Sequence, residues 1–201
     1  STLDADEVAI VSQDGFFAAG LMTYVAPTSG PATSFDLYTR ATLPADTGIT
    51  LGSISQVDLT GSENFFIHRM HGAVSQFLFN SSSLLPGQRI AVGGPATGAS
   101  NPQAVTVKRI SLRQEGYTGT IVAGSVDTAA NTFQMQVDGF AGLLIPQTVT
   151  VYVREDSTFR SGLNSLNNLQ AGVTIRAVGI LLKDPATGTP VLLAHYVDAL
   201  N

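Results

Sequence analysis

The 201-residue sequence has no cysteine, no tryptophan and only two lysines. Without cysteine there is no disulfide framework, no Cys-ligated zinc site and no thiol nucleophile. Charge is sparse as well, at 12% of residues against roughly 25% in typical soluble domains. Ten basic residues face 15 acidic ones, for a net charge of -5. Both halves are acidic, with six basic against nine acidic residues in 1–115 and four against six in 116–201. That balance is a poor starting point for binding a polyanion. No run approaches the ~18 apolar residues of a transmembrane helix. The opening Ser1-Thr2-Leu3-Asp4-Ala5-Asp6-Glu7 lacks the basic and apolar regions of a signal peptide. Two origins fit, a cytoplasmic chain or one that begins after a removed export segment.

What is present points one way. A hydrophobic share of 44% is that of a folded domain rather than a disordered chain. Threonine (21) and valine (18) are abundant, punctuated by 20 glycines and 9 prolines. β-Branched residues suit pleated, half-buried surfaces, and frequent Gly and Pro supply turns. The composition predicts an all-β chain.

Period-two runs and turn signals place the strands. Val8 to Val25 reads as a hairpin turning at Gln13-Asp14-Gly15. Strand patterns follow at Ser34–Thr39, Ile54–Leu59, Phe65–Ile67, Arg89–Val92 and Val105 to Arg113, with a short helical turn expected in Val74–Leu85. In the second half, strands are predicted at Gly119–Val122, Phe133–Val137, Val149–Val153, Val173–Gly179 and Val191–Val197. Leu163, Leu166 and Leu169 are spaced by three and predict one or two helical turns.

The order repeats. Gly20 to Phe35 spans 15 positions and Gly119 to Phe133 spans 14. Gly87-x-x-Ile90-x-Val92-x-Gly94 matches Gly172-x-x-Ile175-x-Ala177-x-Gly179, and Pro-Ala-Thr-Gly recurs at 95–98 and 185–188. About 13 extra residues in the first copy form an insertion that a surface loop tolerates. The reading is two domains, 1–115 and 116–201, each five strands with a short helix between the third and fourth. That is the order of the OB-fold, a partly open Greek-key barrel.

The second half also carries Asn131-Thr132-Phe133, Val149-x-Val151-x-Val153, Ser157-Thr158-Phe159, Leu166-x-x-Leu169-x-x-Gly172-x-x-Ile175 and Ala194-x-x-Val197. With these it resembles repeats of the bacterial domain-of-unknown-function family numbered 5666. The first copy departs from the pattern through its insertion and its Phe-rich stretch. The resemblance implies small β-barrel repeats in secreted or lipoprotein-type proteins, hence an extracytoplasmic location. It carries no catalytic residues to transfer.

Few residues suggest chemistry. His68-Arg69-Met70-His71 is the one histidine pair. At i and i+3 on a helix, His68 and His71 would face one metal, yet Arg69 lies between them and no third ligand is marked. They are weak candidates, and the expectation is no metal and no cofactor. His195 falls in a strand pattern and reads as structural. Asp4, Asp6 and Glu7 lack the glycine and spaced oxygens of a calcium loop. Glu155-Asp156 beside Ser157-Thr158 reads as turn chemistry. There is no G-x-S-x-G elbow, Walker loop or G-x-G-x-x-G, and Gly93 to Gly98 reads as a turn. Lys108, Arg109 and Arg113 form the only basic cluster.

The doublets Phe16-Phe17 and Phe65-Phe66 are more informative. Neighbouring residues of a strand point to opposite faces, so each doublet sends one ring outward. Exposed apolar surface marks an interface, so Phe16, Phe17, Phe65 and Phe66 are the interface candidates, with the outer ring of each doublet expected to pack against the second repeat, the insertion or an upstream domain. The alternative is a loop at 61–66 that tucks both rings inside. The leading expectation is a non-enzymatic structural or ligand-binding module of an exported bacterial protein, with a protein or glycan as possible ligand. The alternatives are a carbohydrate-active enzyme or accessory domain, and a single-stranded nucleic-acid-binding OB-fold.

Overall fold

The computed structural model describes residues 15–43, 49–68, 77–95, 104–138 and 147–200. They form an all-β architecture of two sheets. The first sheet contains β1 (Gly15–Ala26), β2 (Ser34–Leu43), β3 (Ile54–Asp58), β4 (Asn64–Ile67), β5 (Arg89–Pro95), β6 (Ala104–Thr106) and β7 (Arg109–Arg113). Its order is β4-β7-β5-β1-β2-β3-β6. The second contains β8 (Glu115–Ile121), β9 (Thr132–Val137), β10 (Gln147–Arg160), β11 (Thr174–Lys183) and β12 (Pro190–Ala199), closed into a barrel in the order β10-β12-β11-β8-β9. The first arm of the hairpin expected at Val8 to Val25 lies outside the described residues.

The two sheets share a pairing scheme. In each, the first strand lies between the second and the strand that follows the 3₁₀ turn: β1 between β2 and β5, β8 between β9 and β11. β10 pairs with β12 in parallel, with an irregularity between Val153 and Thr158. In the first sheet the parallel pairing comes in two pieces, β3 with β6 and β4 with β7. Registers agree as well. Gly20 faces Ile90 and Gly119 faces Ile175. Gly87 N–H donates to Met22 O at 2.7 Å, and Gly172 N–H donates to Ile121 O at 2.9 Å. A Cβ on Gly20 would overlap the Tyr38 carbonyl, and one on Gly119 the Gln136 carbonyl, so both positions need a residue without a side chain.

The expected short helices are not α-helices. In their place, among the described residues, stand single 3₁₀ turns at Ser81–Ser83 and Leu166–Asn168. The physical reason lies in the spacing of three: in a 3₁₀ turn residues i and i+3 eclipse. Only Leu166 belongs to the turn, with Leu163 before it and Leu169 as its extended C-cap, and all three are buried in the barrel core. Residues 69–76, part of the helical turn expected near Val74, lie outside the described residues.

The hairpin β11–β12 is buried on both sides. Ile175, Ala177, Leu181, Leu192, Ala194 and Val197 line the barrel core. Ile180, Leu182, Val191 and Leu193, pointing the other way, belong to the core of the first sheet with Phe16, Phe35, Ile90 and Leu112. Continuous apolar runs such as Ile180-Leu181-Leu182 are the signature of a strand covered on both faces. Polar contacts hold the same junction. The buried Gln88 donates from Nε2 to Ser83 O (3.2 Å) and Leu181 O (3.1 Å), while its Oε1 accepts from Leu85 N–H at 3.1 Å. Tyr117 Oη donates to Gly87 O at 2.8 Å. Arg40 Nη1 donates to Glu115 Oε2 at 2.8 Å.

Candidate functional site

Most described acidic groups that make side-chain bonds are committed to backbone or to a neighbouring cation. Asp127 Oδ1 accepts from Ala129 and Ala130 N–H, and Asp184 Oδ1 from Ala186 and Thr187 N–H. The Thr187 and Ala186 N–H groups hold Asp184 below the ordinary aspartate range. Glu63 folds back on its own turn. Burial is the largest single effect and raises its pKa, but the bonds from the Thr60 N–H and hydroxyl, its own N–H and the Gly61 N–H together outweigh it and lower the pKa. Glu155 and Asp156 sit exposed in the irregularity of β10, with Asp156 held by Arg154 at 3.1 Å. Ser157 beside them donates to Ala194 O at 2.6 Å, tying that irregularity to β12. Tyr117, fully buried, has its phenol pushed well above 10, by burial first and the Glu115 charge second. It stays a neutral hydrogen-bond donor.

Of the histidine pair, only His68 belongs to the described residues. His68 follows Ile67, the last residue of β4, and its backbone N–H donates to Leu112 O at 2.9 Å; His71 lies outside the described residues, as do Asp4, Asp6 and Glu7. His195 is exposed on β12, its ring edge-on to Tyr196 with centroids 5.9 Å apart. Among the described residues no three His, Asp or Glu side chains come within reach of one ion. Gly93, Gly94 and Pro95, read from sequence as the start of a turn, instead finish β5 and pair with Phe17, Phe16 and Gly15. Residues 96–98 lie outside the described part.

The phenylalanines lead to a more organised surface. Phe16 is buried in the first core and Phe17 faces the other way, half-buried. Phe65 packs against that core, its ring edge-on to Phe79 at 5.4 Å. Phe66 is 45% exposed. Residues 64–67 form a strand, so the two rings separate as alternation requires.

Cross-strand registers give the outer face of the first sheet residue by residue. One row runs Leu43, Phe17, Gly93, Arg109, Asn64. The next runs Ala41, Ala19, Ala91, Ser111, Phe66. The third runs Ile54, Tyr38, Leu21, Arg89, Arg113. Four of the five residues in the middle row, Ala41, Ala19, Ala91 and Ser111, are small, and Phe66 closes its end. At one end the Arg109 guanidinium lies over the Phe66 ring, 5.7 Å from its centroid, a cation–π contact that holds both side chains in place. The third row runs beside the connection between the sheets, where Arg89 Nη1 donates to Gln114 O at 3.4 Å. Sequence reasoning found Arg109, Arg113 and the Phe doublets but missed Arg89, which joins them only through the non-local pairing of β5 with β7.

No family model matches the chain, and no curated protein matches it. Among solved structures the chain is similar to apo-CusF from Escherichia coli, at 10% identity and a TM-score of 0.31, over 44% of this chain and 89% of that one. It is also similar to CusF with Ag(I) from the same organism, at 10% identity and a TM-score of 0.27, over 44% and 96%.

Proposed function

We propose that the chain is a tandem of two OB-like barrels acting as a rigid, non-enzymatic structural or ligand-binding module of an exported bacterial protein. The observation that carries this reading is the doubly buried β11–β12 hairpin, which serves at once as wall of one unit and core of the other. The order β8-β9-β10-β12-β11 is the Greek-key ring of an OB-fold. The first sheet follows it when β3 with β4, and β6 with β7, are taken as single interrupted strands. The matched Gly20–Ile90 and Gly119–Ile175 pairs support two copies of one unit. Commitment of Glu63, Asp127, Asp156 and Asp184 to local bonds supports a scaffold rather than an acid–base centre. Extracytoplasmic placement follows from the resemblance to the 5666 family.

The test is cooperativity. Chemical unfolding of the intact chain is expected to give one transition by both tyrosine fluorescence and circular dichroism. Leu182→Asp, which places a charge in the shared core, is expected to lower the midpoint sharply or prevent folding. Leu182→Val is the milder variant, expected to shift the single transition without splitting it. Two separate transitions in the unmodified chain would sink the rigid-module reading.

A further inference from the structure

We infer that the outer face of the first sheet is a docking trough for a short, extended protein segment in which acidic and apolar side chains alternate. The inference rests on the binding-module reading and supplies its ligand class.

Composition is the first argument. The fourteen positions of the face on β4, β7, β5, β1 and β2 are Asn64 and Phe66; Arg109, Ser111 and Arg113; Gly93, Ala91 and Arg89; Phe17, Ala19 and Leu21; and Leu43, Ala41 and Tyr38. They hold three arginines and three aromatic rings but no lysine, aspartate or glutamate. Enrichment in Arg, Phe and Tyr with depletion of Lys, Asp and Glu is what separates protein-binding surface from ordinary surface. The chain as a whole is acidic, so this concentration of arginine is local.

Shape is the second. Ala41, Ala19, Ala91 and Ser111 form a low floor, and Ala19 and Ala91 are buried although they face away from the core. Phe17, Leu43 and Arg109 rise on one side and Tyr38 and Arg89 on the other, while Leu21 between those two is 1% exposed and lies beneath the surface. Five strands at about 4.8 Å spacing and five residues of strand length make a footprint of roughly 19 by 14 Å. That is about a third of the ~800 Å² per partner that a standard interface needs. A second copy of this chain, or any globular face, would be too weakly held, whereas a peptide segment fits.

Charge is the third. The trough is apolar at the β1–β2 end and cationic at the β5–β7 end, where Arg89 and Arg109 are both exposed. Guanidinium groups take carboxylates with paired, directional hydrogen bonds. Arg109 is already oriented by the Phe66 ring, which reduces the ordering cost of binding. A nucleic acid would need several phosphate contacts to overcome a net charge of -5. A sparsely acidic peptide needs two.

The test uses the full chain and a fluorescein-labelled ten-residue peptide alternating Leu and Glu, followed by fluorescence anisotropy. The unmodified protein is expected to bind it saturably below about 1 mM, more tightly as salt is lowered. Arg89→Glu with Arg109→Glu is expected to weaken binding at least 10-fold, and Phe66→Ala at least 3-fold. Circular dichroism and the unfolding midpoint check that each variant is folded, and the salt dependence needs no variant. Three outcomes each overturn the inference: no saturable binding, equal affinity for the unmodified protein and the double arginine variant, or equal binding of a Leu–Lys peptide, polyglutamate or a single-stranded oligonucleotide. Failure here with a single unfolding transition intact would remove the ligand and leave the rigid module standing.

Discussion

In the first sheet the outward row crossing its centre reads Ile54, Tyr38, Leu21, Arg89; in the barrel the row at the same register reads Thr148, Gln136, Thr120, Thr174. Inside, the two are alike. Phe35 and Phe133 fill matching core positions, and Gly20 and Gly119 allow the same close approach of a neighbouring strand. Outside, one face carries rings, leucines and guanidinium groups, while the other carries hydroxyls and amides, such as Thr148 donating to Gln136 at 2.9 Å. The pairing scheme fixes the interior, because a strand that approaches within hydrogen-bonding distance dictates side-chain size. It leaves the exterior free, and there the two sheets differ.

The comparison is broken or sharpened most strongly in the cores. Phe35→Ala and Phe133→Ala should each cost about 3–5 kcal/mol. Because the two cores are joined through the β11–β12 hairpin, both should move the same unfolding transition, measured by denaturant melts with two probes. If Phe133→Ala melts the barrel while leaving the first sheet folded, the likeness is one of pattern and not of cooperative structure. A smaller effect is expected at the matched glycines. Gly20→Ala and Gly119→Ala force a Cβ into a backbone carbonyl, for about 1–3 kcal/mol. Similar losses at the two sites would establish equivalence in energy as well as register.

Much of this was legible in the sequence, and the failures are local in cause. The alternation of Phe133-Gln134-Met135-Gln136-Val137 and the Gly–Phe spacing marked strands that the structure contains. Spacing by three at Leu163, Leu166 and Leu169 predicts helix, but only Leu166–Asn168 turns, as 3₁₀, with extended backbone at both caps. The β11–β12 junction was harder. The predicted strand at Val173–Gly179 stops short of Ile180-Leu181-Leu182, which belong to β11, and the second face that covers this run comes from distant residues of the first sheet. The trough was invisible for the same reason: Arg89 and Arg109 are 20 residues apart in sequence, and only antiparallel pairing of β5 with β7 brings them together.

The smallest effect expected separates a turn of the first sheet from the barrel. Glu63 is lowered by its bonds to Thr60 and Gly61, so its contribution to stability is complete above the usual glutamate value of 4.5 and is lost as pH falls through the lowered value. Glu63→Gln should therefore leave a shallower decline of stability with acid. Melts at pH 7 and pH 3 check this, and an unchanged acid slope would mean that the turn does not couple to folding.

The shared hairpin also sets a timetable. A chain made from its N-terminus usually lets early domains fold as they emerge. Here Ile180, Leu182, Val191 and Leu193 are part of the core that Phe16, Phe35 and Ile90 need. The first unit to be synthesised is thus the one that must wait, its central apolar surface uncovered until residue 193 has been added. A protein arranged this way acquires its structure late and all at once.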